Sequence, residues 1–349
     1  MRAISAFGNT GKSERVNYYV IVVILTLVGS VLGSGFISGK EVAVFFSRFG
    51  GFSFLGIFLA FFLFAGIFYL ILIKSDIILS RLQNSKIILF LNLIISIVFS
   101  SAMMAGIVNS MNFDIISIKS AIFFIILLIC LLIIKKGIKI LNKLNSFLVP
   151  IMIIIFLILL SLNISQKPID FSFSLSGSVS IFYSFLYAIL NTSNGVVLTA
   201  SLGQKLTKHQ KAQVSVLSAL VLMLILLFVN IVLLQHSSLL YEDMPFLSLF
   251  SGWQKVSINI VIFIGCATSL FSLVYTSFLS FRGLCNNEFL IFCISVLLPA
   301  LLSLLGFSFI VSQLYPICSI LGLYLLFALL KGRRVKKIKA KSIKRKENL

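Results

Sequence analysis

Gly29-Ser30-Val31-Leu32-Gly33-Ser34-Gly35-Phe36-Ile37-Ser38-Gly39-Lys40-Glu41 is the stretch that decides how this chain is read. It lies inside an apolar segment, residues 16–49, that is too long for one membrane crossing and is broken at its middle by Gly33-Ser34-Gly35. Glycine lets a backbone leave helical geometry without steric cost. In hydrocarbon, however, a helix breaks its hydrogen-bond ladder only where the freed amides and carbonyls find other partners. In secondary transporters those partners are solute and ions, held near the bilayer midplane between two half-helices. A second half-helix starting near Phe36 would turn its free amides and positive end into the break, a setting suited to a carboxylate or other anionic group. Carbonyls ending the first half, from Val28 to Leu32, would suit a cation such as Na⁺.

Glu41 follows about two turns beyond the break, roughly 9 Å along a helix axis. A carboxyl at that depth is costly and is expected to face the bundle interior, with a partner or a proton. Proton carrier, counter-ion to a cationic group and gate residue are the functional roles open to it, and a structural ion pair with a neighbouring helix is the alternative. Lys40, turned about 100° away, is expected to snorkel outward rather than pair with it. The candidate solute-binding residues on this segment are Gly33, Ser34, Gly35, Phe36, Ser38 and Glu41.

The rest of the chain sets the context. Of its 349 residues 60% are hydrophobic and only 11% charged, a composition too apolar for a soluble domain of this size to cover. Apolar runs of about 18 residues or more recur along the length, enough to cross a hydrocarbon layer as helix. The fold class expected is therefore all-α integral membrane, with about ten transmembrane helices. The runs fall at residues 16–48 (broken), 52–73, 87–111, 118–134, 146–163, 178–204 (broken), 212–235, 253–280, 289–305 and 309–330. They form one membrane domain, 16–330, between an N-terminal arm, 1–15, and a basic tail, 331–349.

The net charge of +20 is a matter of topology rather than of nucleic-acid binding. With the N-terminus inside, twenty-four of the 29 Lys and Arg fall on the cytoplasmic side, among them Lys74, Arg81, Lys205, Lys208, Lys211 and ten in the tail. The opposite side keeps Arg48, Lys119, Lys167 and Lys255. This distribution follows the positive-inside rule and places both termini in the cytoplasm of a multi-pass plasma-membrane protein. The N-terminus lacks a short apolar region with a cleavage site, so it reads as a retained arm. Contact of the basic tail with anionic lipid headgroups would contribute about 1 kcal/mol per basic residue near the surface. The five cysteines have no metal-site spacing, and His209 and His236 lie in connections, so neither a metal centre nor an intramembrane enzyme is expected.

Ten spans divide into halves, about 16–163 and 178–330, and the sixth span opens the second half. Its centre reads Leu186-Tyr187-Ala188-Ile189-Leu190-Asn191-Thr192-Ser193-Asn194-Gly195. Asn191, Thr192, Ser193 and Asn194 are poor helix formers whose side chains can replace backbone partners. Each half thus begins with an interrupted span, the pattern of an inverted-repeat transporter. In the eighth span Thr268-Ser269 and Thr276-Ser277 offer paired hydroxyls, adequate oxygen ligands for a Na⁺-sized ion. Met103, Met104 and Gly106 in the third span read as helix packing, with the lining of a cavity as the alternative.

These motifs resemble those of the YkvI-type bacterial membrane proteins. The resemblance rests on GSGFISGKEVAVFFSRFG (residues 33–50), KKGIKILNKLNSFLVPIM (135–152), LYAILN (186–191) with LGQK after it, and GFSFIVSQLYP (306–316), which occur in the family's order. One departure is Lys40, where the family usually carries Gln. Through that family the chain resembles the leucine-transporter (LeuT) fold of the amino acid–polyamine–cation superfamily. The resemblance implies a 5+5 inverted repeat, with solute between the broken first and sixth spans and, where sodium is used, a site between first-span carbonyls and eighth-span hydroxyls. By position it implicates Gly33, Ser34, Gly35 and Phe36, then Asn191 to Asn194, with Thr276 and Ser277 as ion ligands. The function expected is secondary active transport of a small polar solute, amino-acid-like or amine-like, coupled to Na⁺ or H⁺ and without any other cofactor. The alternative is a ligand sensor or assembly subunit on a transporter scaffold.

Overall fold

The computed structural model describes residues 19–110, 138–164, 177–282 and 293–331, with a few isolated positions between them. Among the described residues all regular structure is helical. The first span is a series of short pieces: α1 (Tyr19–Val31), α2 (Ser34–Ile37), α3 (Lys40–Phe45) and a 3₁₀ turn, Ser47–Phe49. Then come α4 (Phe52–Ile73), α5 (Ser75–Asn84), α6 (Lys86–Ser110) and α7 (Ile138–Ser161). The second half of the chain holds α8 (Gly177–Asn194), α9 (Val196–Gly203), α10 (Lys208–Gln235), α11 (Pro245–Leu249) and α12 (Gly252–Arg282). Last come α13 (Ile294–Leu305) and α14 (Phe307–Leu330), parted at Gly306, whose φ of 88° ends one helix and starts the next.

Among the described residues five helices (α4, α6, α10, α14 and Gly252–Phe278 of α12) are long and apolar enough to cross a membrane, and the bent pair α8–α9 makes a sixth if counted as one span. The expected span at 118–134 lies largely outside the described residues, as do the arm and the tail. Residues 74–86, expected as a plain connection, contain α5, which buries Ile78 and Leu82 on one side and exposes Asp76 and Asn84 on the other. Local π turns at Cys293–Leu297 and Ile310–Leu314 immediately precede Pro299 and Pro316. A proline has no N–H for the carbonyl four residues back, and a widened turn accommodates that loss.

Packing inverts the usual soluble pattern. Leu55, Phe58, Phe62, Ile87, Phe90, Leu224, Ile320 and Phe327 are exposed on the outer faces. Ser, Thr and Asn side chains, by contrast, are buried on α6, α8 and α12. An apolar exterior matches a hydrocarbon surround, and the polar residues are thereby kept for the inside. α12 packs chiefly on α6, α4 lies against α10 and α8, and α14 against α8 and α6. At one end, which carries Lys74 and Arg81, Lys74 Nζ donates to Leu330 O at 2.6 Å, Arg81 Nη1 donates to Ala328 O, and Gln204 Nε2 donates to Asp76 Oδ1 at 3.2 Å. Lys74 and Arg81 thereby satisfy carbonyls in the last turn of α14, groups that would otherwise lack partners. At the other end Lys40 Nζ donates to Glu242 O at 2.7 Å and Tyr241 O at 3.4 Å, tying the first span to the α10–α11 connection.

Candidate functional site

The first interruption begins where Gly33 N–H donates to Val31 O at 2.8 Å, where an unbroken helix would donate to the Gly29 carbonyl. Helix resumes at Ser34, earlier than the expected start near Phe36, and lasts a single turn. The chain then breaks again at Ser38-Gly39. Gly39 takes φ 84°, a left-handed conformation favourable only for glycine, and a Cβ there would stand 3.1 Å from Phe246 Cε2. The expected half-helix with a strong positive end is therefore replaced by two fragments of four and six residues. Freed groups at the second break are taken up by protein: Phe246 N–H of α11 donates to Ser38 O at 3.1 Å, and Ser38 Oγ donates to Gly35 O at 3.2 Å.

The second interruption is a single hinge. α8 and α9 meet at Gly195 with a bend of 61°, in the span where Asn191 to Gly195 predicted a break. Gly195 N–H still reaches Asn191 O at 3.2 Å, and Thr199 N–H reaches Gly195 O at 2.9 Å, so little of the ladder is lost. Phe45 and Phe46 of the first span pack on Tyr187 of α8, with ring centroids 5.4 and 4.9 Å apart, and so fix the two interrupted spans against one another.

Between them lies a cavity with free space of about 20 Å³. That is room for one water or a bare ion, not for an amino acid. Its walls come from four places: Ser30, Val31, Gly33 and Glu41 of the first span; Phe99 and Met103 of α6; Asn191, Asn194, Gly195 and Leu198 around the hinge; and Ser269, Ser272, Leu273 and Thr276 of α12. Among the described residues the one ionisable side chain in this wall is Glu41, which is 2% exposed and whose Oε2 has no hydrogen-bond partner. Asn194 Oδ1 and Ser269 Oγ, in the same wall, are likewise buried and unpartnered. Each such atom costs about 1–3 kcal/mol unless something enters to bind it. Two of the three, the carboxylate oxygen and the amide carbonyl, only accept, so what satisfies them must be a donor or a cation.

Gly35 explains how a carboxyl fits at this place. Its Cα lies so close to the Glu41 side chain that a Cβ would be 2.5 Å from Glu41 Cγ and would overlap the carboxyl oxygen. The glycine expected to free the backbone thus also makes a shelf for the acid. Lys40 points away from Glu41, as expected, but it ends on loop carbonyls rather than in solvent. Behind Glu41 stand Tyr187 and Tyr315, both fully buried, each with an unpartnered hydroxyl and within electrostatic reach of the carboxyl. Tyr315 stacks on Phe99 at 4.5 Å.

The candidate residues therefore separate. Gly33, Glu41, Asn191, Asn194 and Thr276 face the cavity. Phe36 is fully buried core, and Ser38 bridges the second break. Thr192 Oγ1 donates back to Ala188 O at 2.6 Å and Ser193 Oγ to Leu190 O at 2.9 Å, with Ser193 packed on Gly322 of α14. Ser277 is buried outside the cavity wall, while Ser34 is the first residue of α2 and its side chain lies outside the described residues. Met103, read as packing, lines the cavity, and Ser30, Phe99 and Leu198 join it unforeseen. Helical period was the available signal: residues 191, 194, 195 and 198, and residues 269, 272, 273 and 276, are each an i, i+3, i+4, i+7 set. No family model and no characterised protein matches this chain.

Proposed function

We propose that this protein is a secondary transporter that moves a small polar solute by alternating access, coupled to Na⁺ or H⁺. The observation that carries the reading is the buried Glu41 carboxyl, its Oε2 without a partner, in a narrow cavity where two interrupted helices meet. A structural acid would be paired or hydrogen-bonded on both oxygens, because an uncompensated buried carboxyl is expensive. An acid that must exchange a proton or a cation is left open in this way. The cavity is too small for an organic solute, as a closed state requires, and the 61° hinge at Gly195 offers a place where it can widen.

The charge of the wall favours a cationic or protonated group at Glu41. Among the described residues no Lys, Arg or His lines the cavity to hold an anion, and α2 is too short to act as an anion-binding helix end. Amine-like solutes, or amino acids recognised through their ammonium group, are therefore the favoured cargo. The ten-span 5+5 arrangement, cytoplasmic termini and plasma-membrane location complete the reading. Support comes from interruptions in both spans that the family resemblance marks and from the Lys and Arg distribution.

The test is uptake into proteoliposomes of radiolabelled amines and amino acids under imposed Na⁺ or pH gradients. Gradient-dependent accumulation that Glu41→Gln removes is the expected result. Ligand binding without flux under any gradient would reject transport and favour the sensor alternative.

A further inference from the structure

From the cavity a line of polar side chains continues between α6 and α12 toward the end of the molecule that carries Lys74 and Arg81. Thr276, in the cavity wall, accepts at its carbonyl from Ser280 Oγ at 2.9 Å, and Ser280 Oγ accepts in turn from Asn92 Nδ2 at 2.6 Å. Ser96 lies one turn along α6 from Asn92, on the face that continues to the cavity residues Phe99 and Met103. Ser277 lies three residues before Ser280 on α12, one turn away on the same flank of the helix. Asn92, Ser96 and Ser277 are 0% exposed and Ser280 is 2% exposed.

Three atoms of this seam have no partner: Asn92 Oδ1, Ser96 Oγ and Ser277 Oγ. Polar residues that only glue membrane helices together satisfy each other, as Asn230 does by accepting from Ser47 Oγ and donating to Ser53 Oγ, both at 2.8 Å. The α6–α12 seam does this on one side only. Orphaned buried polar atoms in a row are the setting in which proteins hold internal water.

We propose that the α6–α12 seam is a hydrated file that carries water and a small monovalent cation or proton between the Glu41 cavity and the Lys74–Arg81 face. Thr276 would be its head and the Asn92–Ser280 pair its constriction. Six residues separate Thr276 from Arg282 at the end of α12, about 9 Å of helix, so a few waters would span it. The file itself stands on the seam's geometry; only its naming as a release route rests on the transport reading.

The experiment places single thiols at Ser96, Ser277 and, as control, Ser184 in a cysteine-free chain in oriented vesicles, and applies a cationic methanethiosulfonate from either side. Ser184 is equally buried on α8, but its Oγ is satisfied by donation to Ser180 O at 2.8 Å. Thiols at 96 and 277 are expected to react from the Lys74–Arg81 face at least about tenfold faster than the thiol at 184. Adding Asn92→Leu is expected to slow the reaction at 277 by a similar factor. Equal, slow reaction at all three positions in folded protein would overturn the file. If the cysteine variants do not fold, Ser96→Ala/Ser277→Ala in the native chain serves instead, read by the release rate of bound methylammonium and of Na⁺. Slowed release with unchanged affinity supports the file, and unchanged release rejects it. Fast labelling without flux under any gradient would keep the file and reject transport.

Discussion

The two interrupted spans solve the same problem in opposite ways. In the first, the chain breaks twice within eight residues, at Leu32-Gly33 and at Ser38-Gly39, and the pieces are held by side-chain and inter-segment bonds. In the second, one hinge at Gly195 bends the axis by 61° while the backbone ladder continues almost intact. The first is pinned at its far end by Lys40 and by the Phe246 amide, and it alone brings an ionisable side chain to the cavity. The second brings only neutral groups, Asn191 and Asn194. On the transport reading proposed above, this contrast would give charge recognition to the first span and shape change to the second.

The largest effect that would test this division is at Gly35. Gly35→Leu puts a side chain where the Glu41 carboxyl lies, so either the acid is expelled or the fragments move. We expect loss of all ligand binding and destabilisation of about 1–3 kcal/mol, as overpacking commonly gives. Thermal unfolding in detergent, with a binding assay alongside, measures both. Binding at wild-type strength would mean that the carboxyl is not held on this shelf for function.

Glu41→Gln comes next and separates charge from shape. It keeps the volume but removes the buried charge, so ion-coupled flux should vanish while the fold persists. Removing an uncompensated buried carboxylate should leave the melting temperature unchanged or raise it. A strong loss of stability would instead make Glu41 a structural residue, and the first span would lose its assigned role.

How much of this was legible beforehand follows from the kind of signal. Helices α4, α6, α10, α12 and α14 begin and end within a few residues of the apolar runs, because length and hydropathy alone set a crossing. The hinge at Gly195 was visible as five consecutive poor helix formers. The second break at Gly39 was not, since it depends on Phe246 arriving from some two hundred residues away. At the site, the error was to take neighbours in sequence as neighbours in space. Thr192 and Ser193 follow Asn191 in the chain, yet a helix turns them about 100° and 200° away from it. Asn194 and Leu198 return to its face. Applied to residues 191 and 269, that period would have selected most of the hinge and α12 walls.

The same argument sets the next prediction. Asn194→Ala removes an oxygen from the cavity and should weaken ligand binding about tenfold, the effect of one hydrogen bond to a charged group. Thr192→Val, two residues earlier in sequence but bonded back to Ala188 O, should change binding by less than about twofold. Titration of both variants with the same ligand measures the ratio. Equal losses would mean that the hinge helix presents a different face when the cavity opens, which would sharpen the assignment of movement to the second span.

The smallest effect expected is at the hinge glycine itself. Gly195 has φ −87° and ψ 4°, which other residues adopt, and an added Cβ would meet nothing closer than Ser30 Oγ at 3.4 Å. Gly195→Ala should therefore fold normally, with a stability change within about 1 kcal/mol. Gly39→Ala, at φ 84° and 3.1 Å from Phe246, should lose about 1 kcal/mol or more. The two alanines thus compare a hinge that needs freedom to move with a turn that needs glycine to exist. If Gly195→Ala slows turnover while leaving affinity and stability alone, the bend is a moving part. If flux is unchanged as well, the bend is a fixed feature of the wall, and the motion has to be sought in the fragments of the first span.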